Sequence, residues 1–187
     1  MKHLLLVISG PSGVGKGTIV NHLLKQGNYA LSVSCTTRAP RSGEREGKEY
    51  FFISKEEFLH MIESGGLLEY SNHFENYYGT PKKFVEDKLK DYDVILEIEV
   101  DGALQAKKSY PDAVLIMILP PSVEELHARL VHRGSETEDK IQERISRMEY
   151  EISKKLEYDY VVINDDLQTA VDKIENIIEK ERGLKND

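Results

Sequence analysis

The 187-residue chain contains one cysteine, Cys35, so no disulfide can close within it and no cysteine-rich metal framework can form. A lone thiol suits a reducing compartment, and the expected location is the cytoplasm. The six histidines, His3, His22, His60, His73, His127 and His132, show no metal-ligand spacing and read as surface or packing residues. No apolar run nears the roughly 20 residues of a membrane-spanning helix. The run Leu4–Ile8 is too short for a signal peptide and meets Gly-Pro-Ser-Gly instead of a small-residue cleavage site. Positive charge is scarce as well. A net charge of −8 argues against a general nucleic-acid surface. Neither a membrane nor a nucleic acid is an expected partner. Internal repeats and low-complexity tracts are absent.

Apolar residues make up 40% of the chain and charged residues 31%, enough for a packed core in one compact domain. Leu4 to Ser9 is a continuous apolar run, as in a strand buried on both faces. A helix is expected from about residue 16 to 26, ended by Gly27. Ser54-Lys-Glu-Glu57 has the capping-box pattern and opens a second helix. Thr80-Pro81 reads as the start of a third, with threonine as its cap. Apolar strands are expected at 94–100, 114–119 and 160–163. Leu167, Val171, Ile174 and Ile178 mark one face of a closing helix. Strands alternating with helices imply a parallel sheet covered on both sides. The fold class is therefore α/β, a three-layer α/β/α core. Residues 34–80 break the alternation and read as an insertion at its edge.

Gly10-Pro-Ser-Gly-Val-Gly-Lys16 has the spacing of a phosphate-binding P-loop, with a strand before it and a helix after. Glycines let the backbone curl so that N–H groups point at phosphate oxygens, and the helix N-terminus adds positive potential there. Lys16 supplies a point charge at the β and γ phosphates of a nucleoside triphosphate such as ATP. The loop comprises Gly10, Pro11, Ser12, Gly13, Val14, Gly15, Lys16, Gly17 and Thr18. Gly17 stands where a serine or threonine usually ligates Mg²⁺. Magnesium is then expected on the ATP phosphates and waters, with Thr18 nearer the α-phosphate.

Seven of the eight arginines fall in two stretches, Arg38, Arg41 and Arg45, then Arg129, Arg133, Arg144 and Arg147. Planar guanidinium forks suit phosphate oxygens. The GTPase signature Asn-Lys-x-Asp is absent. The segments Ser34-Cys-Thr-Thr-Arg38-Ala-Pro-Arg41-Ser-Gly-Glu44, Gly47-Lys-Glu-Tyr50, Glu69 and Tyr77-Tyr78-Gly79-Thr80 closely resemble the guanylate kinase family. So do Ile118-Leu-Pro-Pro-Ser122, Arg129-Leu-Val-His-Arg133-Gly-Ser-Glu136, Arg144 and Val161-Val-Ile-Asn164-Asp165. The resemblance spans almost the whole chain.

That resemblance implies an ATP:GMP phosphotransferase, with GMP and ATP as substrates and Mg²⁺ as cofactor, working in GMP recycling as a monomer or homodimer. It implies a P-loop core at about 1–33, 81–125 and 148–187, a GMP-binding subdomain at about 34–80 and a helical lid at about 126–147. Arg38, Arg41, Tyr50 and Tyr78 would surround the GMP phosphate. Ser34, Glu69 and Thr80 would read guanine. The Glu69 carboxylate can accept N1–H and the 2-amino group, and the two hydroxyls can donate to O6. Adenine would leave Glu69 unpaired. Glu97 and Glu99, expected on one strand face, stand where the family usually has aspartates, and Asp101 where it usually has glutamine. Glu97 is expected near guanine and the magnesium water shell, and Glu99 near magnesium or the P-loop. Arg129, Arg133 and Arg144 resemble the lid arginines that neutralise charge during phosphoryl transfer, with Lys16 and Arg38 in the same catalytic group. Arg147 reads as a helper or a surface residue. Asn164 resembles an adenine-side contact.

Two other readings stand beside this one. A guanylate-kinase-like peptide-binding module would have lost the phosphate cradle, which is intact here. A P-loop kinase acting on a ribose phosphate would not need Ser34, Glu69 and Thr80.

Overall fold

In the computed structural model, which describes residues 3–73, 75–122 and 138–183, the apolar run after the N-terminus forms β1 (Leu5–Ser9), buried along its whole length. The P-loop follows, then α1 (Lys16–Leu24), β2 (Tyr29–Leu31), β3 (Cys35–Thr36), β4 (Phe51–Phe52) and α2 (Lys55–Glu63). A hairpin of β5 (Leu67–His73) and β6 (Asn76–Pro81) leads into α3 (Lys82–Lys88), β7 (Asp93–Glu97), α4 (Val100–Ser109) and β8 (Val114–Leu119). The last elements are α5 (Glu138–Ser153), a 3₁₀ turn (Lys154–Glu157), β9 (Tyr160–Ile163) and α6 (Leu167–Glu181).

The main sheet is parallel, in the order β2-β7-β1-β8-β9. Its residues divide by period two. Leu6, Ile8, Ile116 and Ile118 pack on one side with Ile19, Val20 and Leu23 of α1 and with Val171, Ile174 and Ile178 of α6. Leu5, Val7, Leu115 and Met117 pack on the other with Val85 of α3 and Ala103 and Ala106 of α4. A parallel sheet with two apolar faces is stable only when both are covered, and this gives the three layers. A second sheet, β4-β3-β6-β5, mixes parallel and antiparallel pairs. Phe58 of α2 fills its small core with Cys35 and Leu67.

Local signals account for most boundaries. The Ser54 hydroxyl accepts from the Glu57 N–H, and the Glu57 carboxylate accepts from the Ser54 N–H, completing the capping box. Gly27, at φ 81°, follows α1. Two expectations differ. The strand expected over 94–100 ends at Glu97, and Glu99 is the N-cap residue of α4. Val100 is drawn into the apolar face that α4 buries, so the alternation of acids past Glu97 does not report a strand. Thr80 does not cap α3. It lies in β6 with its hydroxyl turned inward, and Pro81 holds the cap position.

Candidate active site

The P-loop leaves the carboxyl end of β1, at the sheet's centre between β7 and β8, where ligands of open α/β sheets collect. Gly10 has φ 140°, and a side chain there would overlap the Ile118 carbonyl oxygen of β8. Only glycine lets the chain turn away so close to the neighbouring strand. Buried Val14 ties the loop to the core, and its carbonyl accepts from Asn164 Nδ2 at 2.7 Å. Asn164, expected near adenine, therefore also holds the loop from the end of β9. Helix α1 begins with no side-chain cap and no acid in its first turn, leaving its N-terminal N–H groups to an anion. Lys16 Nζ donates to the carbonyls of Gly10 at 2.6 Å and Pro11 at 3.0 Å, across the cradle. Burial pulls its pKa down, while Glu151, Glu97 and Glu99 act to hold the proton.

Glu97 stands over the turn after the lysine. A Cβ on Gly17 would be 3.5 Å from its Oε1. Burial raises the Glu97 pKa, and Lys16 opposes that. The carboxylate therefore lies on the P-loop side, close to where a hydroxyl at position 17 would project. It is not among the residues lining the larger cavity beside the main sheet, where Glu99 stands with Ser34 and Glu69. Glu99 also lines a cavity with Gly10, Ser12 and Lys16 of the P-loop, so the difference from expectation concerns Glu97, which does not line the cavity that holds Glu69. Among the described residues no cluster of three or more acids, histidines or cysteines forms a protein-only metal cage. The pair Glu97 and Glu99 fits a cation that keeps most of its ligands as phosphates and waters.

Beside the main sheet, a cavity of about 640 Å³ is lined by Ser34, Tyr50, Glu69, Tyr78, Glu99 and Arg147, among others. Glu69 is 8% exposed and accepts from Thr80 Oγ1 at 2.6 Å. Burial pushes its pKa up, and the Thr80 bonds pull it back. A Cβ on Gly102 would stand 3.0 Å from the other carboxylate oxygen, so α4 leaves just enough room for Glu69. The one hydroxyl proton of Thr80 goes to Glu69, so the expected direct donation from Thr80 to a base oxygen is not the arrangement found. Thr80 aims the carboxylate.

Arg38 lies over the Tyr50 ring at 5.6 Å, and the Tyr50 and Tyr78 rings meet edge to face at 6.0 Å. Glu44 grips the Arg38 guanidinium in a fork, at 2.9 and 3.1 Å. Glu44 also accepts from the Arg41 N–H at 2.7 Å, while the Arg41 side chain is exposed. Among the described residues, Arg38 Nε is buried with no hydrogen-bond partner, a donor left for an incoming acceptor. Arg129 and Arg133 lie outside the described residues, as does the side chain of Arg144.

A smaller cavity of about 220 Å³ is lined by Gly10, Ser12, Lys16, Glu99, Arg147 and Glu151, among others. Glu99 and Arg147 line both cavities. In the sequence Glu44 and Glu151 carry no assigned role, and Arg147 reads only as a helper or a surface residue, with no link to Asp101. Glu44 was visible as part of the quoted motif. Glu151 was not, because one acid in a highly charged helix carries no mark of its 5% exposure.

The chain matches the model of the guanylate kinase family over residues 2–181. It is 50% identical over 182 residues to the guanylate kinase of Clostridium tetani, covering 97% of this chain and 88% of that protein. The guanylate kinase of Clostridioides difficile is 52% identical over 184 residues, covering 97% and 90%. The crystal structure of guanylate kinase from Anaplasma phagocytophilum superposes with a TM-score of 0.71 at 39% identity, over 96% of this chain and 86% of that one.

Proposed function

The chain belongs to the guanylate kinase family, and from that premise we propose that it transfers the γ-phosphoryl group of ATP to GMP, giving ADP and GDP. The observation that carries the acceptor assignment is Glu69, a buried carboxylate aimed by Thr80 into a cavity next to the P-loop. An ionised Glu69 accepts two hydrogen bonds from guanine and leaves adenine unmatched. Ser34 faces the same cavity as a donor for O6. Arg38, Arg41, Tyr50 and Tyr78 serve the monophosphate, with Glu44 holding the Arg38 fork in place. dGMP fits the same contacts, since none of them is assigned to the ribose.

Gly10 to Thr18 take the ATP phosphates, with Lys16 between the β and γ groups. Asn164 supports that loop. Glu97 and Glu99 would hold Mg²⁺ through its waters, and the ion would offset negative charge on the ATP phosphates. No covalent intermediate on the protein is required. A GMP phosphate oxygen attacks the γ-phosphorus, and the protein contributes position and positive charge. Arg129, Arg133 and Arg144 would supply further charge from the lid as it closes. Residues 34–80 and about 126–147 are read as the two arms, and the remainder as the core. Among the described residues no helix is long and apolar enough to cross a membrane, and a cytoplasmic nucleotide-recycling role accords with the lone buried thiol.

A coupled ADP-release assay with GMP, dGMP, AMP, CMP, UMP and a ribose bisphosphate tests this reading. GMP and dGMP are expected to be turned over, with the others at background. Equal rates with AMP and GMP would remove the role given to Glu69.

A further inference from the structure

Arg147 lies on α5, one helical turn beyond the lid-side arginine Arg144, and lines both cavities. Its Nε donates to Glu151 at 3.1 Å, and its terminal nitrogen donates to Asp101 at 2.9 Å and stands 3.4 Å from Glu99. One guanidinium thus gathers carboxylates from the start of α4 and the next turn of α5. The Tyr150 hydroxyl donates to Asp101 at 2.7 Å, and the Arg147 guanidinium lies 5.2 Å from the centre of the Tyr150 ring. Asp101 stands where the family resemblance leads one to expect glutamine. A glutamine could accept a hydrogen bond there but could not match the charge of an arginine.

We propose that Arg147, anchored by Asp101, is a positioning residue for phosphoryl transfer, holding Glu99 at the boundary of the two cavities and Glu151 on the P-loop side so that donor and acceptor phosphates meet in register. The inference rests on the kinase reading above. Without the guanidinium, three carboxylates would face one another and the incoming phosphates. They would separate, and Glu99 would leave its place between the cavities. A displacement of about 1 Å at a reacting centre can cost on the order of 100-fold in rate. Each nucleotide keeps its own pocket, so the loss belongs in turnover more than in binding.

The test compares wild type with Arg147→Met, Arg147→Lys, Asp101→Gln and the Arg147→Met/Asp101→Gln double variant. Steady-state kinetics use ATP and whichever nucleoside monophosphate the wild type phosphorylates. Calorimetry measures GMP and a non-hydrolysable ATP analogue binding separately, and thermal unfolding checks the fold. We expect Arg147→Met to lower kcat by about 10- to 100-fold while each nucleotide's Kd changes less than about threefold. Lysine should restore part of kcat, and the double variant should lose little more than Arg147→Met alone. An unchanged kcat would overturn the proposal. So would a loss confined to Kd, fully additive effects, or a fall in activity that only tracks lower unfolding temperature. Absence of GMP turnover in the wild type, with another monophosphate accepted, would count against the acceptor assignment and leave the Arg147 ratio readable.

Discussion

Glu69 concentrates the selectivity argument in one side chain. It is buried, fixed by Thr80 and confined by Gly102. Replacing it by glutamine keeps the shape but turns one acceptor into a donor facing guanine donors. kcat/KM for GMP should fall by the equivalent of about 1–3 kcal/mol in initial-rate measurements, and the margin over AMP should narrow. The same carboxylate sets a pH response. Burial raises its pKa above the ordinary 4.5, so it takes up a proton earlier on acidification than an exposed glutamate. In the window just above 4.5 the folded state holds more protons than the unfolded state. The contribution of Glu69 to stability is therefore favourable at acid pH and lost as pH rises through that window. On the proposed role of Glu69, binding runs the other way, because the ionised form is the one that would accept both guanine donors. GMP affinity measured by calorimetry should weaken as pH falls toward 4.5. The Glu69→Gln variant should lose that component and retain only the response of the GMP phosphate, whose second ionisation lies near about 6.

Among the elements, α2 shows how far a local signal reaches. Ser54 and Glu57 exchange hydrogen bonds at its start, and Phe58 on its inner face fills the second core. Ser54→Ala removes the cap but leaves the packing. It should cost about 1 kcal/mol, seen as a fall of roughly 2–4 °C in the calorimetric Tm. The capping box was legible because all its partners lie within four residues. The start of α3 misled for a complementary reason. Thr80 before Pro81 has the local signature of a cap, yet its hydroxyl serves a carboxylate eleven residues away on the paired strand. The apolar run likewise suggested a strand through Val100 with Glu97 and Glu99 on one face, but burial of Val100, Ala103 and Ala106 against the sheet begins a helix there.

For the whole molecule, the two cavities share Glu99 and Arg147 in their linings, and a γ-phosphoryl group held there without a cover would be open to water. On the proposed kinase reading, closing of the two arms over the core would exclude that water. Small-angle scattering should show a smaller radius of gyration with GMP and a non-hydrolysable ATP analogue together than with neither. An identical profile in the two states would contradict an arm-closing mechanism.

The layered core and the phosphate cradle were determined by the sequence alone, because two-sided apolar runs, glycine spacing and lysine position act locally or with a fixed period. The motif around Arg38 and Glu69 also pointed to the family to which the chain belongs, and the fold brings Ser34, Tyr50, Glu69 and Tyr78 of that region to one cavity. Contacts made across long stretches of chain were decided only by the tertiary structure. Thr80 turned to Glu69, Glu97 came to lie over Gly17, and Asn164 reached the Val14 carbonyl. Arg147, one more cation on a charged helix when read in sequence, became the group that joins Glu99, Asp101 and Glu151. No periodicity encodes such meetings, since they depend on which helix the packed sheet brings opposite which loop.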